Sequence, residues 1–254
     1  MSHDVCWSRY GPGAEHALAK RDLFTPDVIE RILREGFNPF YNIPDIMDIE
    51  DRHGVRSTFF FRPVYDDAVS VWCYEDVIRD LVNGGWEIAV CLNNASSLDR
   101  IIKEKRMIER VSRSSVVGCR VHDLRIDVDD YWRLYLAGLR YDSSLKMFRD
   151  SINTSDMGFR WISNMLVFPV TIADVHMINY MDVTEDRISS VVRSAINEAL
   201  RHNKSVITIL WHDSSLKMIG GRMYGRVLEE LASMDNIRLV RGLDLLRLIE
   251  SGRL

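Results

Sequence analysis

An α/β fold of parallel strands covered by helices is what this 254-residue sequence predicts. Three observations carry that expectation. Short apolar runs alternate with amphipathic helical stretches along the whole chain. No low-complexity tract, linker or internal repeat interrupts the alternation. Polar residues close several of the apolar runs, as they do at the carboxyl ends of strands in parallel β/α folds. Hydrophobic content of 46% with 28% charged residues is a globular profile, and the length suits a single domain over residues 1–254.

The elements follow in order. "SHDV" opens the chain as a first, short strand. Residues 7–53 then form an insertion. Within it "TPDVIERILREGF" has Thr25 as N-cap, Pro26 at the first helical position and Gly36 at the stop. The insertion also holds the aromatic-rich "FNPFYNIPDIMDIEDRHG"; with too little apolar material for its own core, it is expected as a lid or flank. "GVRSTFFF" reads as a strand, "YEDVIRDLVNGG" as a helix stopped by Gly84–Gly85, and "EIAVCL" as a buried strand. "SVVGCRV" is a strand, "DDYWRLYLAGL" a helix and "RYDSSL" a strand end. "LVFPVTI" is a strand in which Pro169 implies an edge or a bulge. Apolar residues at 188, 191, 192, 195, 196, 199 and 200 mark a helix from Thr184 to His202. "SVITILWH" follows as a core strand, then the helix "YGRVLEELAS", the strand "IRLVRG" and a last short helix.

A formal charge of −4 and a pI near 6.0 exclude broad attraction to nucleic acid or anionic membrane. The basic run from Arg100 to Arg110 reads as a solvated helix face. No apolar stretch reaches the ~18 residues of a membrane span, so no membrane insertion is expected. Cys6, Cys73, Cys91 and Cys119 lie far apart, without a disulfide framework. With no leader pattern at the start, the expectation is a cytoplasmic protein with reduced thiols.

The candidate site is the set of polar residues that close the apolar runs. They are His3 and Asp4, Cys91 with Asn93 and Asn94, Arg120 and His122, Asp142, and His212. Arg62 and Tyr65, just past "STFFF", line a groove or decorate a loop. Trp86 and Trp211 are the tryptophans placed to offer a stacking face to a bound substrate, with Asn94 and His122 as polar contacts to it.

Six segments in order give the chain a resemblance to the polysaccharide deacetylase superfamily. They are "HDV" (His3–Val5), "GVRSTFFF" (Gly54–Phe61), "GGWEIAVC" (Gly84–Cys91), "VGCR" (Val117–Arg120), "GLRYDSSL" (Gly138–Leu145) and "ILWH" (Ile209–His212). The resemblance implies a distorted (β/α)7 barrel and metal-assisted removal of an N-acetyl group from an amino sugar or glycan precursor. Asp4 would be the base, Arg120 its orienting partner, and His212 the general acid. Asp142 is the candidate to position His212, since a catalytic histidine needs an orienting acceptor.

The metal pattern departs from the family. Its aspartate position is Cys6, and its two histidine positions are Cys91 and Ala95. Three readings stay open: Zn²⁺ held by the Cys6 and Cys91 thiolates with His3, His122 or Asn94 as third ligand; a metal-free domain that binds a carbohydrate without cleaving it; or an altered reaction without metal. Only Met1 and Ser2 precede "HDV". The first strand is therefore very short or begins upstream, and a short one is expected to leave the barrel open and Asp4 poorly anchored.

Overall fold

The computed structural model describes residues 1–254. Strand β1 (Ser2–Val5) leads through helices α1 (Gly13–Ala19), α2 (Pro26–Glu35) and α3 (Ile43–Arg52) to β2 (Thr58–Phe61). Helix α4 (Glu75–Asn83), β3 (Glu87–Leu92), α5 (Leu98–Ser112), β4 (Gly118–Val121), α6 (Tyr131–Leu136) and β5 (Tyr141–Asp142) continue the alternation. A hairpin, β6 (Arg160–Ile162) and β7 (Met165–Val167), is followed by β8 (Val170–Ala173), α7 (Asp174–Asn179), α8 (Ile188–Arg201), β9 (Thr208–Leu210), α9 (Tyr224–Ala232) and α10 (Gly242–Glu250).

The strands run in the order β6-β7-β5-β4-β3-β2-β1-β9-β8, all parallel except the β6–β7 pair. Strand β8, at one end of that order, and β7, next to the other end, meet at Pro169. "LVFPVTI" is one stretch whose first half, β7, pairs with β5 and whose second half, β8, pairs with β9. Proline cannot donate to a ladder, so the stretch bends there, and the register shifts between Val170 and Ile172. Val170 N also donates to Leu145 O at 2.8 Å, which closes the seam. With β7 and β8 counted as one bent strand, seven parallel strands make the distorted (β/α)7 barrel. "IRLVRG" forms no strand; it passes beside the start of β1, where the Met1 amine donates to Val240 O at 3.3 Å.

Side chains alternate between the lumen and the helix layer. Asp4, Phe60, Cys91 and Arg120 face inward; His3, Phe59, Val90, Cys119 and Asp142 face outward, as the registers His3↔Phe59, Cys91↔Arg120 and Cys119↔Asp142 require. Four residues anchor β1 well, contrary to expectation: it pairs with β2 along its whole length and Asp4 is buried. The lower end of the lumen encloses a cavity of about 410 Å³ reached by Ser2, Thr58, Tyr141 and Ser143. Glu87 accepts there from Thr58 Oγ1, Tyr141 OH and the Leu243 amide, tying α10 across the base.

The insertion is joined to the barrel by α3. Glu50 is fully buried and accepts from Ser57 Oγ (2.9 Å), Trp86 Nε1 (2.6 Å) and Tyr224 OH (2.5 Å), and pairs with His3 Nε2 (2.9 Å). Helices α1 and α2 share a small apolar cluster of Ala17, Phe24, Val28, Ile32 and Phe40. They rest on the loop after β9, where Ile219 N donates to Leu23 O. Glu50→Ala takes away the acceptor that four buried polar groups share, leaving only the Tyr224–His3 contact (3.2 Å), and urea unfolding should read a loss of about 3 kcal/mol or more.

Candidate active site

The rim at the carboxyl ends of the strands is built around Arg120. Its guanidinium donates to Asp4 Oδ1 (2.6 Å), Ser143 O (2.7 Å), Ser143 Oγ (2.8 Å) and Ser2 Oγ (3.1 Å), over the Phe60 ring. Asp4 therefore stands fixed at the top of β1. On the neighbouring strand, His212 follows β9. Its Nδ1 meets Asp174 Oδ1 at 2.7 Å, and its amide donates to Asp174 Oδ2 at 2.9 Å. Ser215 Oγ donates to the same carboxylate. Burial alone would pull the His212 ring down; Asp174 and Cys6 outweigh it and hold the imidazolium well above its ordinary pKa. Asp174 lies below the usual carboxylate range, since the His212 charge and three donors overcome its burial.

Cys6 stands between them. Its thiol, one Asp4 oxygen and one His212 ring nitrogen all lie within 4.8 Å of one another. Burial pushes the Cys6 thiol up, against the pull of the His212 charge. Two further polar groups reach this region without a partner of their own. Asp213 Oδ1 and the Tyr65 hydroxyl are buried and unbonded. Burial, with Asp4 and Asp174 nearby, raises Asp213 far above a normal carboxyl. Arg62, also buried, forks onto Asp66 (2.6 and 3.0 Å) and donates to Asn93 Oδ1 (2.9 Å) beside the Cys6 carbonyl.

The structure brings together Asp4, Arg120, His212 and Cys6 and separates the other candidates from them. Asp142 does not position His212. It faces the helix layer, bonded to the Ser144 amide and hydroxyl and to Tyr131, and burial lifts it to about 6. Asp174 takes the role instead. Cys91 is no ligand: its thiol is sealed in the lumen with Phe60, Ala89 and Phe168, and burial holds it well above its ordinary value. His3 is turned outward onto Glu50 and is no third ligand. Trp86 is packed on Glu50, and Trp211 is sealed with its Nε1 on Gly221 O, so neither offers a face to a sugar. Asn94 and His122 remain partly exposed at the rim; burial and the Arg62 charge keep His122 below its ordinary pKa. Sequence reasoning missed Asp174 and Asp213, although Asp213 directly follows "SVITILWH" and Asp174 lies two residues past "LVFPVTI".

No family model and no curated protein sequence matches the chain. Solved structures do. A protein of Mycobacterium smegmatis assigned as a polysaccharide deacetylase is 17% identical, with a TM-score of 0.70 over 100% of this chain and 90% of that one. The fold is that of the polysaccharide deacetylases. A second protein so assigned, from Pseudomonas aeruginosa PAO1, is 17% identical, with a TM-score of 0.61 over 86% of this chain and 76% of that one. Puue allantoinase shares the deacetylase fold at 16% identity, with a TM-score of 0.63 over 90% of this chain and 76% of that one.

The metal centre that the deacetylase resemblance implies lacks its donors here. Of the three positions, Ala95 offers no ligand atom and Cys91 is sealed away. Asp4, Cys6 and His212 do form a group of the kind that holds zinc. An ion there would take up both the base and the acid that hydrolysis needs free. On the His212 side it would have to displace the proton of Nε2, since Asp174 occupies Nδ1, and it would sit beside the Arg120 charge. The residues present do not fit a hydrolytic metal centre.

Asp174→Asn should lower the His212 pKa, read from the imidazole proton shifts in an NMR titration. Because the folded ring titrates above its ordinary value, its stabilisation is complete below pH ~6.5 and is lost as pH rises through the raised value. The stability penalty of Asp174→Asn should shrink over that same interval.

Proposed function

We propose that the protein hydrolyses the N-acyl bond of an acylated amino sugar, such as a cytoplasmic glycan precursor. One observation carries this reading: a carboxylate fixed by Arg120 and an imidazole fixed by Asp174 converge within 4.8 Å at the rim. The two fold neighbours assigned as polysaccharide deacetylases support the class of substrate. A purely sugar-binding domain would leave this acid–base pair without a use.

An amide resists attack because its carbonyl is a poor electrophile and its nitrogen a poor leaving group. Asp4 answers the first difficulty by accepting the proton of the attacking nucleophile as its bond to the acyl carbon forms. His212 answers the second. Its imidazolium donates to the departing nitrogen, which then leaves as a neutral amine. The unpartnered Tyr65 hydroxyl and Asp213 carboxyl are the polar groups left to meet the acyl oxygen and sugar hydroxyls. Zinc bound across Asp4, Cys6 and His212 would block both proton transfers, so activity is proposed to be independent of metal.

Acetate release from N-acetylglucosamine oligomers tests the reading. Asp4→Asn should lower it ~10²–10⁴-fold, and a strong chelator should leave it unchanged. The rate should fall as pH rises through the raised His212 value, and Asp174→Asn should move that limb to lower pH. Sugar binding without acetate from any acylated sugar tried would replace this reading with the binding domain. Activity lost to a chelator and restored by zinc would reinstate the metal.

A further inference from the structure

The position at which the deacetylase pattern carries a metal-binding aspartate holds a thiol in this chain, while the other two ligand positions hold no usable donor. These changes have a common chemical sense. Without a metal to turn water into hydroxide, amide cleavage needs a stronger nucleophile than water, and a thiol is one. Cys6 is not a lone cysteine. It is partly exposed at the rim, and its Sγ lies within 4.8 Å of both the Asp4 carboxylate and a His212 ring nitrogen. Asp174 occupies the Nδ1 side of that ring, which leaves Nε2 as the nitrogen free to meet the thiol or a substrate. Nucleophile, imidazole and orienting carboxylate come from the ends of three adjacent strands, β1, β9 and β8. That is the relation a nucleophilic thiol requires: a proton carrier in reach, itself held by a third group.

We infer that Cys6 is a covalent nucleophile that carries the acyl group as a thioester between two half-reactions, an inference that rests on the deacylation reading above. In the first half, the Cys6 S–H bond breaks and its proton passes to the Asp4 carboxylate. The sulfur bonds to the acyl carbon, the C–N bond breaks, and the nitrogen takes the His212 proton. In the second half, water attacks the thioester and gives one proton to His212. The C–S bond breaks, and the sulfur recovers its proton from Asp4. One amide and one water become one carboxylic acid and one amine, and nothing is oxidised or reduced. The cycle starts and ends with Asp4 ionised, Cys6 as a thiol and His212 as imidazolium. The raised positions of the thiol and the ring agree with that resting state.

The molecule contains its own control. Cys73 is partly exposed like Cys6 but lies outside the Asp4–His212 group, and Cys91 and Cys119 are fully buried. The test treats the full chain with p-nitrophenyl acetate and, separately, with N-acetylglucosamine oligomers, then quenches in acid and maps acetylated peptides by mass spectrometry. The expected result from the ester is a hydroxylamine-sensitive acetyl group on the Cys6 peptide ahead of the Cys73 peptide, slowed ~10²-fold in Asp4→Asn, which removes the acceptor of the thiol proton. Cys6→Ala and Cys6→Ser should abolish acetate release from the sugar; should Cys6→Ala fail to fold, Cys6→Ser and labelling of the unaltered protein still decide. Labelling of Cys6 no faster than Cys73, or acetate release that survives in Cys6→Ala, overturns the thioester. The two failures are distinguishable. Acetylated Cys6 with no acetate from any sugar keeps the nucleophile and removes the sugar, whereas acetate release without Cys6 keeps the sugar and removes the nucleophile.

Discussion

A guanidinium sealed inside a barrel must find all its partners there, and Arg120 does. It is fully buried, and its donors end on Asp4, Ser2 and Ser143, from β1 and from the segment after β5. Removing one member of such a pair leaves a charge in a low-dielectric interior, at a cost of about 3–5 kcal/mol. The placement of Asp4 is therefore set by the electrostatics of the fold before any substrate arrives. The same contact holds two sides of the lumen together and aims a carboxylate at the rim. Structure and chemistry share one residue.

The His212 side of the rim is built by a separate set of bonds. Asp174, at the head of α7, fixes His212 through both its ring and its amide. The rim thus consists of three pairs, each neutral in sum: Asp4 with Arg120, Asp174 with His212, and Asp66 with Arg62. Asp213 stands beside them, its carboxyl pushed well above the usual range by burial. Such a rim has little net pull on an anionic or cationic substrate. An uncharged acyl amide suits it better, and binding there must come from hydrogen bonds and shape.

The helices were readable because their apolar residues repeat at helical spacing: Val28 and Ile32 in α2, and Ile188, Val192, Ala195 and Ala199 in α8, are all buried. Strand β3 was readable because an unbroken apolar run can only be buried on both faces. Two features escaped for tertiary reasons. "IRLV" has strand-like residues, but it joins no ladder and its only tie to the sheet's first strand is the bond from the Met1 amine to Val240 O. The β6–β7 hairpin turns at Ser163 and Asn164, both with positive φ, without the glycine that normally marks such a turn. Within the site, Asp4, Arg120 and His212 could be picked out because each sits in a recognisable motif. Asp142 also sits in one, but a strand sends alternate residues to opposite faces, and its phase turned it away from the lumen. Asp174 begins a short helix one residue past a strand, where an aspartate looks like any N-terminal acid.

The strands β8, β9 and β1 lie side by side in space, yet they are drawn from opposite extremes of the chain. On the ribosome, the thiol emerges first and waits for an imidazole more than two hundred residues behind it. No amino-terminal fragment can assemble the site, and neither can a chain whose last quarter has not docked. Long sequence separation of this kind slows folding, because loop closure precedes any return in contacts. Competence for chemistry should therefore appear only in the final folding step, which keeps a reactive cysteine idle in every incomplete form of the molecule.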